Sequence, residues 1–213
     1  MVERGQFLER MAIIPVAGGV LEGLYHRGAG AAPVVLSPPL PGEGGDMDLA
    51  PLAEACWALT QAGHPTMRYN HRGVGASTAP LTEGATLDDL LAVVEDLALT
   101  EAAARVGVCA VGGAGVVALE AAARSPRLRR LCLLNPSPSP ALEAAARSLG
   151  ASARPVEVVA LLTEDLDGER APLRERLAGV GPGAVRFEVI EASDQAFLRG
   201  LPGIGRGVVE AFA

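Results

Sequence analysis

The 213-residue sequence contains no lysine, and all 18 of its basic residues are arginine. A Schiff-base enzyme and a P-loop nucleotide-binding protein each depend on a lysine amine, so both classes are excluded. Cysteine is scarce: Cys56, Cys109 and Cys132 are odd in number, far apart and embedded in apolar runs. That pattern predicts reduced, buried thiols of a cytoplasmic protein and no disulfide staple. Blocks of positive charge are missing as well. With 25 acidic residues and a formal net charge of −7, the chain lacks the footprint that phosphate backbones require, which excludes a general nucleic-acid binder. Long apolar runs are also missing. Val106–Leu119 falls short of the roughly 20 residues of a membrane span. Met11–Val20 is interrupted by Pro15 and two glycines and preceded by Glu9 and Arg10, which argues against a signal peptide. The three histidines, His26, His64 and His71, have no metal-ligand spacing, so no metal is expected.

What is present points to one medium-sized domain over residues 1–213, with 49% hydrophobic residues to build its core. Met11–Pro15 and Val20–His26, split by Ala-Gly-Gly, predict an opening antiparallel hairpin. A strand at Ala32–Leu36 follows, then a loop rich in Pro and Gly, a helix over about 48–62, and a strand at Pro65–Asn70. Thr86 reads as the N-cap of a helix over about 87–104, with Asp88 and Asp89 in its first turn. Asp46 and Asp48 read similarly as serving the N-terminus of the 48–62 helix. Further strands are expected in the first part of residues 105–119 and at 128–135, 155–162 and 184–191. Helices are expected from about 113, over 141–149 with Gly150 as cap, over 173–178, and at the C-terminus. Strands alternating with helices behind a hairpin predict an α/β fold with a mostly parallel sheet covered on both faces, its functional loops at the carboxyl ends of the strands.

The residues 105–119 organise this pattern as a buried strand, an abrupt turn and a helix of small residues. Two further segments carry a resemblance. Val34–Asp48, VVLSPPLPGEGGDMD, is similar to a strand and oxyanion loop with a Gly-Gly-x-Met-Asp continuation. Met67–Ser77, MRYNHRGVGAS, is similar to an Arg-Phe-Asn-x-Arg-Gly-x-Gly-x-Ser turn. With Ala192–Gln195 in the place of a Gly-Ala-Asp-His ending, the chain resembles the small bacterial α/β hydrolases related to dienelactone hydrolases and serine aminopeptidase-like esterases. The resemblance implies an α/β-hydrolase fold without a large lid and without a cofactor.

It also implies where chemistry would sit, and there the chain departs from the pattern. In G-x-S-x-G the serine stands on a sharp strand-to-helix turn, and the next backbone N–H helps form an oxyanion hole. Here the alignment runs Ala110, Val111, Gly112, Gly113, Ala114, so Gly112 occupies the nucleophile's seat, or Ala114 if the register shifts by two. Gln195 takes the histidine's seat, and either Asp165 or Asp167 takes the acid's. Ser37 stands where the relatives usually have histidine, and Pro38, Pro39 and Pro41 leave Leu40 and Gly42 as the backbone donors of the oxyanion loop. No triad is intact. The residues expected to line a ligand site are Ser37, Leu40, Gly42, Val111, Gly112, Gly113, Asn135 and Gln195.

The leading expectation is a hydrolase-fold protein without hydrolase chemistry, with a small molecule, a protein partner or a second copy as the partners left open. The alternative keeps an enzyme of isomerase, lyase, cyclase or residual esterase type using Asp165 or Asp167 and Gln195, with His71 as a further candidate polar group. A dinucleotide reading of Gly113, Gly115 and Ala118 lacks the acid expected about 20 residues on, near Asn135. His71, Arg72 and Ser77 read as tying down their own turn, Cys109 as core, His26 and His64 as surface, and Arg127, Arg129 and Arg130 as a solvated corner.

Overall fold

The computed structural model describes residues 9–213 apart from 83, 182, 196 and 198. The hairpin forms as expected from strands β1 (Arg10–Val16) and β2 (Gly19–His26). The remaining strands are β3 (Val34–Ser37), β4 (Thr66–Tyr69), β5 (Val106–Val111), β6 (Leu128–Leu134), β7 (Glu157–Thr163) and β8 (Val185–Ile190). They make one sheet in the order β1-β2-β4-β3-β5-β6-β7-β8. β1 and β2 pair antiparallel, as do β2 and β4, and every later pairing is parallel.

The helices are α1 (Ala50–Gln61), α2 (Ala85–Thr100), α3 (Ala114–Arg124), α4 (Pro140–Ala151), α5 (Arg170–Leu177) and α6 (Leu201–Phe212). Strand side chains alternate between faces, and the two cores follow from that period. Val106, Val108 and Ala110 of β5 face Leu90, Val94, Leu119 and Leu142 on α2, α3 and α4. Cys109 and Val111 face Leu52, Leu59, Ile204 and Val208 on α1 and α6. The three thiols are free and buried as predicted. α4 alone connects β6 to β7, and among the described residues no lid domain stands over the sheet.

Several local expectations are corrected. Thr86 is not a cap: α2 starts at Ala85 behind Gly84, whose φ of 75° is the left-handed turn that ends the preceding loop. Asp89 is wholly buried and pairs with Arg72 instead of serving the helix end. Asp46 accepts from the Asp48 amide at 2.9 Å, while Asp48 pairs with Arg68 at 2.7 Å, so neither caps α1. Gly150 lies inside α4 and not beyond it. A Cβ there would stand 2.0 Å from the Gly179 carbonyl oxygen, so glycine is required by close approach. The polar stretch after β7 is a 3₁₀ turn, Glu164–Glu169, running directly into α5.

Candidate functional site

The turn from β5 to α3 lies at the carboxyl edge of the sheet, flanked by the ends of β3 and β6. Gly112 has φ 60°, a conformation that strains any residue with a Cβ. Its amide donates to the Leu134 carbonyl at 3.0 Å, which hangs the bend on β6. The sharp turn is therefore formed, with a glycine at its apex.

Facing it is the loop after β3. Pro41–Glu43 closes a 3₁₀ turn, and Glu43 reaches back three residues to the Leu40 amide, as the acid of a capping box does. The same carboxylate oxygen also reaches across to the elbow. Oε2 accepts from Leu40 N–H at 3.2 Å and from Gly113 N–H at 3.2 Å. These are the two backbone donors that the α/β-hydrolase pattern assigns to an oxyanion hole, one from the residue after the nucleophile's seat and one from the loop after β3. Both donors are taken by one carboxylate oxygen of the chain itself, next to the positive end of α3. A Cβ on Gly112 would stand 3.2 Å from Oε2, and one on Gly113 would stand 2.4 Å from Oε1.

The other expected residues divide into two groups. Asp165, not Asp167, is brought to Gln195: Oδ2 accepts from the Gln195 amide at 2.8 Å, and Oδ1 accepts from the Thr163 hydroxyl at 2.9 Å. Asp167 pairs with Arg170 at 3.2 Å on the exposed 3₁₀ turn. Asn135, at φ 46° just after β6, exchanges hydrogen bonds with Thr163 at 2.9 and 3.1 Å. A continuous link thus runs from β6 through Thr163 and Asp165 to the segment holding Gln195, whose side chain is exposed and has no partner among the described residues.

Ser37 is fully buried, and its hydroxyl shares a 3.0 Å hydrogen bond with the phenol of Tyr69, so it faces the interior of the sheet. Val111 is buried against α1 and α6, and Gly42 lies exposed within the 3₁₀ turn. The open part of the edge consists of Leu40, Gly42, Glu43, Gly112, Gly113 and Gln195.

The turn after β4 is structural. Ser77 accepts from the Glu22 amide at 2.9 Å and donates to the Asn70 carbonyl at 2.8 Å, while Arg72 binds Asp89 through Nε at 2.8 Å. His71 is wholly buried, with Nε2 3.3 Å from the Pro38 carbonyl and its ring edge-on to Tyr69. Burial pushes its pKa below the ordinary imidazole value. His26 and His64, expected at the surface, are both buried. His26 is covered by Thr60 of α1, and His64 bonds the Ala32 carbonyl at 2.7 Å beneath Phe212. His26 lies 3.0 Å from Glu9, which Arg68 already holds at 2.6 Å, so a guanidinium takes the place a metal ion would need beside Glu9, His26 and Cys56.

Glu43 is the residue that sequence reasoning missed. It is the one charged side chain between Ser37 and Gly45, and its spacing from Leu40 is that of a capping acid. Its contact with Gly113 spans 70 positions and has no sequence signal.

No family model and no curated protein matches the sequence. The fold is matched throughout its length by solved structures. An α/β serine hydrolase homologue from Coxiella burnetii superposes with a TM-score of 0.79 at 18% identity, covering 96% of this chain and 97% of the other. Dienelactone hydrolase from Anabaena variabilis gives 0.77 at 17%, covering 97% of each chain. A serine hydrolase without a lid from Xanthomonas campestris gives 0.74 at 19%, covering 95% and 93%. Together with the strand order and the elbow, these similarities establish that the chain has the lidless α/β-hydrolase fold.

Proposed function

We propose that this protein is a non-hydrolytic representative of the fold, one that holds a small molecule at the carboxyl edge of the sheet instead of cleaving it. The observation that carries this reading is the position of Glu43. An acyl-transfer site must receive a developing oxyanion between its two backbone donors, and such donors contribute about 10²–10³ each to rate. Here both donors, Leu40 N–H and Gly113 N–H, are already satisfied by a carboxylate oxygen. A second anion in the same place would be repelled. The apex of the turn carries no nucleophile, and the histidine's seat carries Gln195.

The same arrangement favours a class of ligand. Oε1 of Glu43 has no donor among the described residues, and the residue is exposed at the open edge of the sheet. A fixed carboxylate with one oxygen open to solvent suits a ligand that offers N–H groups, best of all an ammonium. Three buried, free thiols support a reducing, cytoplasmic setting.

The test has two arms. Purified protein is treated with a fluorophosphonate probe and assayed with activated esters, and neither labelling nor turnover is expected. A thermal-shift panel of small alkylamines and matched carboxylates should then show stabilisation by amines, lost in Glu43→Gln. Labelling at a residue of the carboxyl edge, or ester turnover that such labelling abolishes, would sink the proposal.

A further inference from the structure

A second feature lies at the opposite edge of the sheet. A cavity of about 640 Å³ opens where β3, β5, β6 and β7 begin. That volume falls within the range of small-molecule sites, roughly 300–1,000 Å³. Its floor is apolar, made by Val34, Val106, Val156 and the ring of Phe212 from the end of α6. The ring lies directly on the backbone of β5: a Cβ on Gly107 would stand 2.4 Å from it.

Its rim is basic. Arg105, Arg129 and Arg130 line the opening against a single carboxylate, Glu157, in a chain of net charge −7. Among the described residues only Arg130 is neutralised, by Glu157 at 3.0 Å. Arg129 reaches no closer than 3.5 Å to the Pro155 carbonyl, and Arg105 is exposed with no carboxylate partner among the described residues. Arg127, the third arginine of the cluster in the sequence, turns away to Glu95 on α2 at 2.7 Å. His64 completes the wall. Its Nδ1 is engaged by the Ala32 carbonyl at 2.7 Å, and its Nε2 has no partner among the described residues. An apolar floor and unneutralised guanidinium groups in one concavity select for an amphipathic anion, because the floor excludes water and each guanidinium can grip an oxyanion through two N–H groups.

We infer that this cavity is a second binding site, for a small molecule with an apolar, ring-sized body and one anionic head, the body resting on Phe212 and the head held between Arg105 and Arg129. A carboxylate, a sulfonate and a phosphoryl group share that head-group chemistry. The site is independent of the elbow: β5 separates them, running from Val106 at the cavity to Val111 at the bend.

The experiment is a fluorescence titration with anilinonaphthalene sulfonate, with its neutral counterpart phenylnaphthylamine as the control for the charge. Saturable binding of the sulfonate is expected, about tenfold tighter than the neutral probe. Arg105→Glu with Arg129→Glu should weaken sulfonate binding by about tenfold or more at an unchanged melting temperature, while Glu43→Gln leaves it unchanged. Should the double variant fail to fold, the two single charge reversals carry the test, each with a loss of about threefold or more. Naphthoate should displace the probe where inorganic phosphate at the same concentration does not, because phosphate lacks the apolar body. Equal affinity for the neutral probe, sulfonate binding that survives both charge reversals, or displacement by inorganic phosphate as effective as by naphthoate would overturn the inference.

Discussion

Oε2 of Glu43 sits 3.2 Å from the amide nitrogen of Gly113, with the Leu40 amide at the same distance on its other side. A side chain from the loop after β3 thereby closes onto the turn after β5, and two backbone donors at that turn are engaged from within. Introducing serine at position 112 and histidine at position 195 should therefore not be enough for ester hydrolysis. Gly112→Ser with Gln195→His is expected to remain unlabelled by fluorophosphonate, since the new Cβ would crowd Glu43 at 3.2 Å and the hole would stay filled. Adding Glu43→Ala empties the hole, and the triple variant should exceed the double by about a hundredfold in ester turnover. Equal turnover in the two would show that the carboxylate is no obstacle.

The buried pair of Arg72 and Asp89 fixes the turn after β4 against α2, with Asp89 wholly inaccessible and Nε 2.8 Å from Oδ1. Removing one partner strands the other charge in the core. Asp89→Ala is expected to lower unfolding free energy by about 3–5 kcal/mol, whereas Arg72→Met with Asp89→Leu costs much less than that single change. Urea titrations of the three proteins distinguish this from a loss that grows with each substitution.

Acid should destabilise the protein earlier than its carboxylates alone would require. His71 has its pKa lowered, chiefly by burial, from the ordinary value of 6.5, and His26 is lowered for the same main reason. The unfolded chain then takes up these protons at a higher pH than the folded one. Stability is complete above the unfolded value and declines as pH falls below about 6.5. The urea midpoint should drop between about pH 7.5 and pH 5, and His71→Gln should flatten that slope. A midpoint independent of pH over this range would contradict the burial argument.

Gly150 is a helix-interior glycine, where alanine ordinarily gains up to about 1 kcal/mol. Here a methyl group would lie 2.0 Å from the Gly179 carbonyl, an atom of the backbone that cannot rotate away. Gly150→Ala is expected to be destabilising by about 1–3 kcal/mol, read from chemical denaturation. A neutral or stabilising result would mean that α4 and the Ala178–Val180 turn can separate freely.

Much of the fold was legible in the chain. The hairpin signal at Ala-Gly-Gly, the apolar runs of β5 and β6, and the helical spacing of Leu87, Leu90, Val94 and Leu97 each report a local preference, and each formed. Boundaries were read less well because they depend on neighbours. Gly150 resembles a cap until Gly179 is packed against it, and Asp89 resembles a first-turn acid until Arg72 arrives from the turn after β4. The two histidines read as surface residues lie beneath helices that the sequence places nowhere in particular.

By itself, the sequence determined the absence of lysine, the glycine at position 112 and the glutamine at position 195, facts of composition and position that no folding can reverse. The tertiary structure alone decided which distant residues meet around them. Glu43 meets Gly113, Asp165 meets Gln195, and Arg105 and Arg129 share a cavity with Phe212 only because parallel strand order brings the ends of distant segments to a common edge. Hydrogen bonds and charges act over a few ångströms, whereas sequence patterns report only the neighbours along the chain.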